Sequence, residues 1–476
     1  MEIEIWNSLT ISSLSHRIMD KFGAFDKVSK VHGSLREFYS QAIVGGRVLS
    51  LLNEKHYFQA TKKDIDNKKI INDFISDFDA VSLYPSAIVR VNGYPTGLAS
   101  FINSKDELND ILKGHLYFIA EIKITKINKT RAHPLIAVKK NNVNREWVGS
   151  SELENSITVT VDKIALEDFI KYHEIEFEFI RGVYWNGYND KVCEIVNKMF
   201  ETRKEKKKDE NPLEQVYKLL MNAAYGKTIL KPNDKHNLIF DGDFDEFLTE
   251  NYGRIVSWQE MSSDLKDDKG EKIPRTLFKI RDGTFSHQNS AHCGVHILSM
   301  SKRIMNEVIC LADDLGIYPT YLDTDSMHIK FSQLTKKYQE TYKRKLVGKE
   351  MGQFHTDFKY SGKGEAGAIT SIILGKKIYT DVLVGMKSLG KDEEGLPNIE
   401  TINGYYVIED ENEEQHQRLK GISEKAREIK INKLGFYQLW NSLYDGKEIE
   451  FDLSGNFKYE KYEVSTNKHI IRKVKI

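Results

Sequence analysis

Cysteine is almost missing from this chain. Cys193, Cys293 and Cys310 are the 3 cysteines among 476 residues. They are odd in number and lack framework spacing, which excludes a disulfide-stapled secreted scaffold and fits a reducing compartment. Proline is scarce too, with 8 residues, and there is neither a low-complexity tract nor an internal repeat, so long extended linkers are not expected. No apolar run approaches the roughly 20 residues of a membrane span, so no membrane partner is expected. The N-terminus MEIEIWNSL lacks the basic and apolar regions of a signal peptide, and a cytoplasmic protein is the expectation. Neither sign of charge is in excess, since 70 basic residues balance 70 acidic ones. What the chain does have is apolar content, 40%, enough at this length for a substantial core in several subdomains.

The segment YLDTDSMHI, residues 321–329, is the most informative. Its pattern predicts a tight hairpin, with one strand over 318–322, the other over 327–331, and Asp323-Thr324-Asp325-Ser326 as the turn. Two carboxylates at a hairpin tip repel each other and call for a cation; hard oxygen ligands suit Mg²⁺ or Mn²⁺. Taken alone, such a pair is more often an acidic surface turn.

Two further segments accompany it. In SDFDAVSLYPSAI, residues 76–88, an apolar run leads to Asp79, and Ser82-Leu83-Tyr84 turns into a helix with Pro85 at its start. Proline is well placed there because its missing N–H would be unpaired anyway. Free N–H groups at such a turn are ready phosphate ligands, and a carboxylate ending the preceding strand is placed to hold a metal that bridges those phosphates. The plain alternative is a generic strand-turn-helix with a buried tyrosine. In KLLMNAAYGK, residues 218–227, Lys218, Asn222 and Tyr225 share one helical face, and Gly226 fits a helix end. Arg203 and Lys207 share a face of a preceding helix predicted over 189–208, with the break Asp209-Glu210-Asn211-Pro212 between the two. This helical hairpin offers cations for a triphosphate; without Lys218 the run ETRKEKKK would read as a solvated charged helix.

Together these segments resemble family B DNA polymerases. DFDAVSLYPSAI is similar to motif A (DxxSLYPS), KLLMNAAYG to motif B (KxxxNSxYG) with Ala223 in place of the usual Ser, and YLDTDS to motif C (YxDTDS), in the family's order. Lys377-Ile378-Tyr379 is similar to the KxY motif that holds the primer end. AIVGGRV, residues 42–48, resembles the YxGG motif, with Ile43 where Tyr is usual. The closest resemblance is to the protein-primed branch of phages, adenoviruses and linear plasmids, and it covers essentially the whole chain.

The resemblance implies an α/β right-hand fold with an antiparallel palm sheet, helical-hairpin fingers and a small thumb. It implies template-directed addition of dNTPs to a 3′-hydroxyl on a DNA template-primer. Two Mg²⁺ (or Mn²⁺) ions would be held by Asp79, Asp325 and the Ala80 carbonyl, with Asp323 as an accessory acid. Ser82, Leu83 and Tyr84 would bind the nucleotide, Tyr84 lying beneath its sugar. Lys218, Arg203 and Lys198 would neutralise the triphosphate, and Asn222 and Tyr225 would complete the base-pair pocket. Thr324, Lys377 and Tyr379 would position the primer. Asp79, Asp325, Lys218 and Lys377 argue against a non-catalytic DNA-binding relic. A Mg²⁺-dependent nuclease, the other alternative, needs neither the Tyr84 turn nor the Lys218 face.

The expected layout is a lead-in over 1–40, palm over 41–97, an insertion resembling the terminal-protein region over 98–182, and fingers over 183–226. A second insertion over 227–290, palm over 291–400 and thumb over 401–476 follow. A terminal protein primer is an expected partner. The stretch before Gln41 is too short for a nuclease domain, so a separately encoded 3′–5′ exonuclease is expected as well. Basic clusters at 201–208, 335–349 and 458–475 are each placed to follow a phosphate backbone; the last reads equally as thumb or as an ordinary basic terminal strand. His287, His292, Cys293 and His296 match no common zinc spacing and precede an apolar helix, so a structural role is expected.

Overall fold

The computed structural model describes residues 8, 10–140, 144–149, 156–230, 235–261, 270, 275–281, 289–334, 338, 342, 345–393, 395–453, 456–459, 462–465 and 471–476. Residues 1–7, His287, most of the basic cluster at 335–349 and part of that at 458–475 lie outside the described residues.

A 12-stranded sheet organises the chain. Its main path runs Val48–Ser50, Tyr321–Asp323, Ser326–Lys330, Ile75–Ala80, Glu365–Gly375, Ile378–Met386, Tyr405–Leu419, Lys68–Ile71 and Lys62–Ile65. Each of these pairings is antiparallel. The period of two in ISDFDA explains what the central strand does. Phe78 and Ala80 point to one face and are buried, while Asp77 and Asp79 point to the other. On the apolar face, Met327 stands opposite both Phe78 and Leu322. That face packs against the helices Leu83–Arg90, Lys191–Lys208 and Ala291–Asp314 in one continuous core.

The helix Ala291–Asp314 is 24 residues long and buried along most of its length. It supports the large sheet and also contacts the region 98–182. That region holds a four-stranded sheet, ordered Ile157–Asp162, Tyr117–Ile127, Ile175–Trp185 and Ser100–Ile102, with the helices Lys105–Lys113 and Lys163–His173. His292 and His296 sit in the adjoining core. The His292 ring stacks on Trp185 at 4.9 Å and His296 lies 4.3 Å from the Tyr117 ring. Burial holds both imidazoles down, to about 4 and about 3, so they pack as neutral rings. Within 227–290 lies a three-stranded sheet, Lys235–Phe240, Arg275–Arg281 and Ile255–Met261, around Phe240, Phe247 and Phe278.

Four sequence expectations shift. The hairpin strands are Tyr321–Asp323 and Ser326–Lys330, so the turn is Thr324-Asp325 and Asp323 pairs with Ser326. Pro85 is the third residue of the helix Leu83–Arg90 rather than its first, still within the turn whose N–H groups lack helical partners. Gly226 does not end the helix Leu213–Ala223 but opens the single turn Gly226–Ile229 that follows it. The strand Tyr405–Leu419 belongs to the sheet, beside Ile378–Met386, not to a thumb starting at 401. The helices Glu424–Leu434 and Phe436–Tyr444 follow it and pack on the sheet through Leu439, Trp440 and Leu443.

Candidate active site

Sheet pairing brings the two acidic motifs together. Asp79 stands opposite Ser326 on one side and His355 on the other. The Ala80 N–H donates to the Asp325 carbonyl at 2.8 Å, so the end of one strand is locked to the hairpin tip of another. The tip is a three-residue turn. The Asp325 N–H donates to the Asp323 carbonyl at 2.7 Å across Thr324, whose φ is 65°. This backbone region is unfavourable for a β-branched residue, so the turn has to be held from outside. The holding group is Arg47, whose carbonyl accepts the Thr324 N–H at 2.7 Å. Gly46 makes this approach possible, because a Cβ there would lie 2.5 Å from Thr324 Cγ2 and 3.0 Å from its Cα. Gly46, and not Gly45, is thus the close-approach glycine against the acidic turn, since a Cβ at Gly45 would meet nothing within 4 Å.

The carboxylates are short of positive charge. Burial, then the charge of Asp325, then those of Asp357 and Asp77 push the Asp79 carboxyl up to about 8, with Lys218 acting in the opposite sense. Burial also raises Asp325, and Asp323, Asp77 and Asp357 add to the rise. The Lys377 Nζ lies 3.0 Å from the Asp323 carboxylate. Lys377 is itself placed by its φ of 59° and by its N–H, which donates to the Tyr321 hydroxyl at 2.9 Å. Among the described residues no group of three or more acidic, histidine or cysteine side chains is gathered tightly enough to hold a metal by itself, but the facing carboxylates of Asp79 and Asp325 are hard oxygen donors of the type that suits a divalent ion. Asp79 and Asp325 would hold such an ion, with the neighbouring Ala80 carbonyl.

The turn after Asp79 is built for a second function. Ser82 takes a left-handed conformation, φ 51° and ψ 56°, and starts the helix with no side-chain cap. Ser86 braces it, its hydroxyl donating to the Ser82 carbonyl at 2.9 Å. The Leu83 side chain is core, so its backbone is what it offers to a ligand. Tyr84 stacks on Tyr225 with ring centroids 4.7 Å apart and planes at 25°, which joins motif A to motif B. Arg203 donates to the Ser82 hydroxyl at 3.3 Å and pairs with Glu214 at 3.1 Å; it therefore ties the fingers to the motif A turn. Lys218 and Asn222 are exposed on the next helix. Lys198 is exposed as well, off the buried Val192-Val196-Met199 face that continues to Arg203, and it is not drawn into the group. Tyr379 is buried and its ring lies 4.9 Å from Tyr321, so it supports the KxY turn from below.

Sequence reasoning missed Asp357. It follows the strand Phe354–Thr356, which pairs with Ile75–Ala80; His355, 3.6 Å away, is the first cause that holds its carboxyl below the usual range. The one signal was an acid directly after an FHT strand. It also missed the segment Gly352-Gln353, which clamps Val81 through hydrogen bonds of 3.1 and 2.8 Å, and the buried side chain of Arg47.

The sequence model of DNA polymerase type B, organellar and viral, matches residues 1–314. Among solved structures, phi29 DNA polymerase complexed with primer-template DNA and incoming nucleotide is similar. It is 14% identical with a TM-score of 0.59, covering 99% of this chain and 68% of that one. Phi29 DNA polymerase complexed with single-stranded DNA is 15% identical with a TM-score of 0.56, covering 89% of this chain and 62% of that one. No curated protein matches the sequence. The fold is that of a right-hand polymerase, and the chain belongs to the type B DNA polymerases of organelles and viruses, DNA-directed DNA polymerases.

Proposed function

We propose that this polymerase adds deoxynucleotides to a primer 3′-hydroxyl at Asp79 and Asp325, which with the Ala80 carbonyl hold two Mg²⁺ (or Mn²⁺) ions. The observation that carries the reading is the strand pairing that sets Asp79 opposite Ser326 and locks it to the hairpin tip, the Ala80 N–H donating to the Asp325 carbonyl at 2.8 Å. Such a site gains most from divalent cations. When bound, the ions supply charge stabilisation at the attacking and leaving oxygens. Residues of the chain do the rest. Lys218 and Arg203 meet the triphosphate, and the N–H groups of Leu83 and Tyr84 in the first helical turn orient it. Tyr84 lies under the sugar. Asn222 and Tyr225 shape the base-pair pocket, while Thr324 and Lys377 hold the primer end, the buried Tyr379 supports the Lys377 turn from below, and Asp323 anchors Lys377.

In this reading the first hydroxyl comes from a terminal protein that engages the insertion at 98–182. The setting is replication of a virus or linear plasmid in the cytoplasm of its host. The resemblance of the three motifs to the protein-primed branch supports this reading. The test is incubation with labelled primer-template, Mg²⁺ and all four dNTPs. Templated extension supports the reading. Binding without extension, or shortening of the primer, contradicts it.

A further inference from the structure

We propose that Arg47 is a positioning residue for the catalytic turn, tying Asp323-Thr324-Asp325 to the long helix and the first insertion. Its backbone and side chain do separate jobs. The Arg47 carbonyl accepts the Thr324 N–H at 2.7 Å, and Val48 next to it pairs with Asp323 across the strands. The side chain runs the other way and is buried, 4% exposed. Its Nη1 donates to the His133 and Pro134 carbonyls at 3.2 and 3.3 Å, and its Nη2 donates to Asn306 Oδ1 at 2.6 Å. Asn306 Nδ2 donates onward to Asp168 of the insertion at 2.7 Å, and Arg303 Nε holds the other Asp168 oxygen at 2.7 Å.

The segment around Arg47 is fixed from both sides. Lys302 Nζ donates to the Val44 carbonyl at 2.7 Å, and Arg145 Nη2 donates to the Ile43 carbonyl at 2.7 Å. Burying a guanidinium is costly unless each donor is matched. Packing alone would be served by an apolar residue at position 47. The planar fork instead fixes two carbonyls and an amide at once, and so sets the height of the one backbone carbonyl that holds the strained Thr324.

This inference rests on Asp79 and Asp325 as the metal-holding pair. The experiment measures binding of Mn²⁺ alone to the full chain without nucleotide, by the electron paramagnetic resonance signal of the free ion, together with Tm and the Kd for labelled primer-template. Arg47→Lys keeps the charge and loses the fork. Asn306→Ala keeps Arg47 and removes its anchor, which guards against a failure of Arg47→Lys to fold. Each is expected to raise the Mn²⁺ Kd roughly tenfold, as loss of an outer-shell partner does, with the primer-template Kd unchanged. The double variant should lose little more than the worse single one. Folded variants with lowered Tm and unchanged Mn²⁺ Kd would overturn the proposal and leave Arg47 a packing residue. Asp325→Asn is the reference: if it leaves Mn²⁺ binding intact, the metal assignment itself falls, and this proposal with it.

Discussion

The Lys377 ammonium lies 3.0 Å from the Asp323 carboxylate, so the two acids of the hairpin are not equivalent. Asp323 has a counterion of its own, whereas Asp325 faces Asp79 with no ion pair among the described residues. Lys377→Met should therefore leave Tm nearly unchanged, because a partly exposed pair contributes only ~0–1 kcal/mol. It should reduce extension about tenfold to a hundredfold through loss of a charged hydrogen-bond donor at the primer end. Steady-state kinetics in primer-template, beside a thermal melt, separate the two effects.

The pH dependence of the metal-free chain follows from Asp79. Its carboxyl is pushed up from 3.8 to about 8 in the fold, so the folded state keeps a proton that the unfolded state has released. The stability from this group is fully present below about pH 4 and is lost as pH rises through about 8. Thermal melts in chelator should show the parent losing stability relative to Asp79→Asn across that window. Metal entry expels the same proton, so Mn²⁺ affinity should rise with pH up to about 8. A parent-minus-variant difference that stays flat with pH would contradict this.

Tyr84 tests sugar choice. Its ring stacks on Tyr225 at 4.7 Å and is thereby held rigid, so a 2′-hydroxyl above it would meet a fixed wall. Tyr84→Val should narrow the dNTP/rNTP ratio of kcat/KM by roughly 10–200-fold, the range of steric pockets, with a smaller loss in dNTP use. An unchanged ratio would make Tyr84 a packing residue.

Gly46 tests the close approach to the acidic turn. Gly46→Ala brings a methyl to 2.5 Å from Thr324 Cγ2, so the turn must move and extension should fall. Thr324→Ser removes that methyl and should restore part of the activity in the double variant. Equal loss in single and double variants would show that the contact does not act through Thr324.

Much of this site was legible in the sequence because each motif is a local pattern. Asp79 closes an alternating strand, Lys218, Asn222 and Tyr225 have helical spacing, and Asp323 and Asp325 flank a turn. Their assembly was not legible from periodicity, because it depends on pairing between Ile75–Ala80 and Ser326–Lys330, segments about 250 residues apart; only the resemblance supplied it. Asp357 went unnoticed for that reason. Its influence on Asp79 comes from the strand Phe354–Thr356 adding to the sheet, and one acid after a short apolar strand has no distinctive spacing. The place of Tyr405–Leu419 in the sheet was not legible because YYVIEDENEEQHQRL is highly charged and still forms a 15-residue strand, exposed along much of its middle. The single-turn helix after Tyr225 follows from tertiary contact: Gly294 lets the long helix approach Ile229, where a Cβ would lie only 2.0 Å from Ile229 Cγ2.

The central claim is that Asp79 and Asp325 hold the catalytic metal. The most direct measurement is primer extension by Asp79→Asn and by Asp325→Asn at physiological Mg²⁺, with the primer-template Kd measured on the same preparations. The account predicts at least a ~10³ loss of rate in each variant, several kcal/mol of transition-state stabilisation, with DNA binding retained. Near-normal extension by either variant would contradict it.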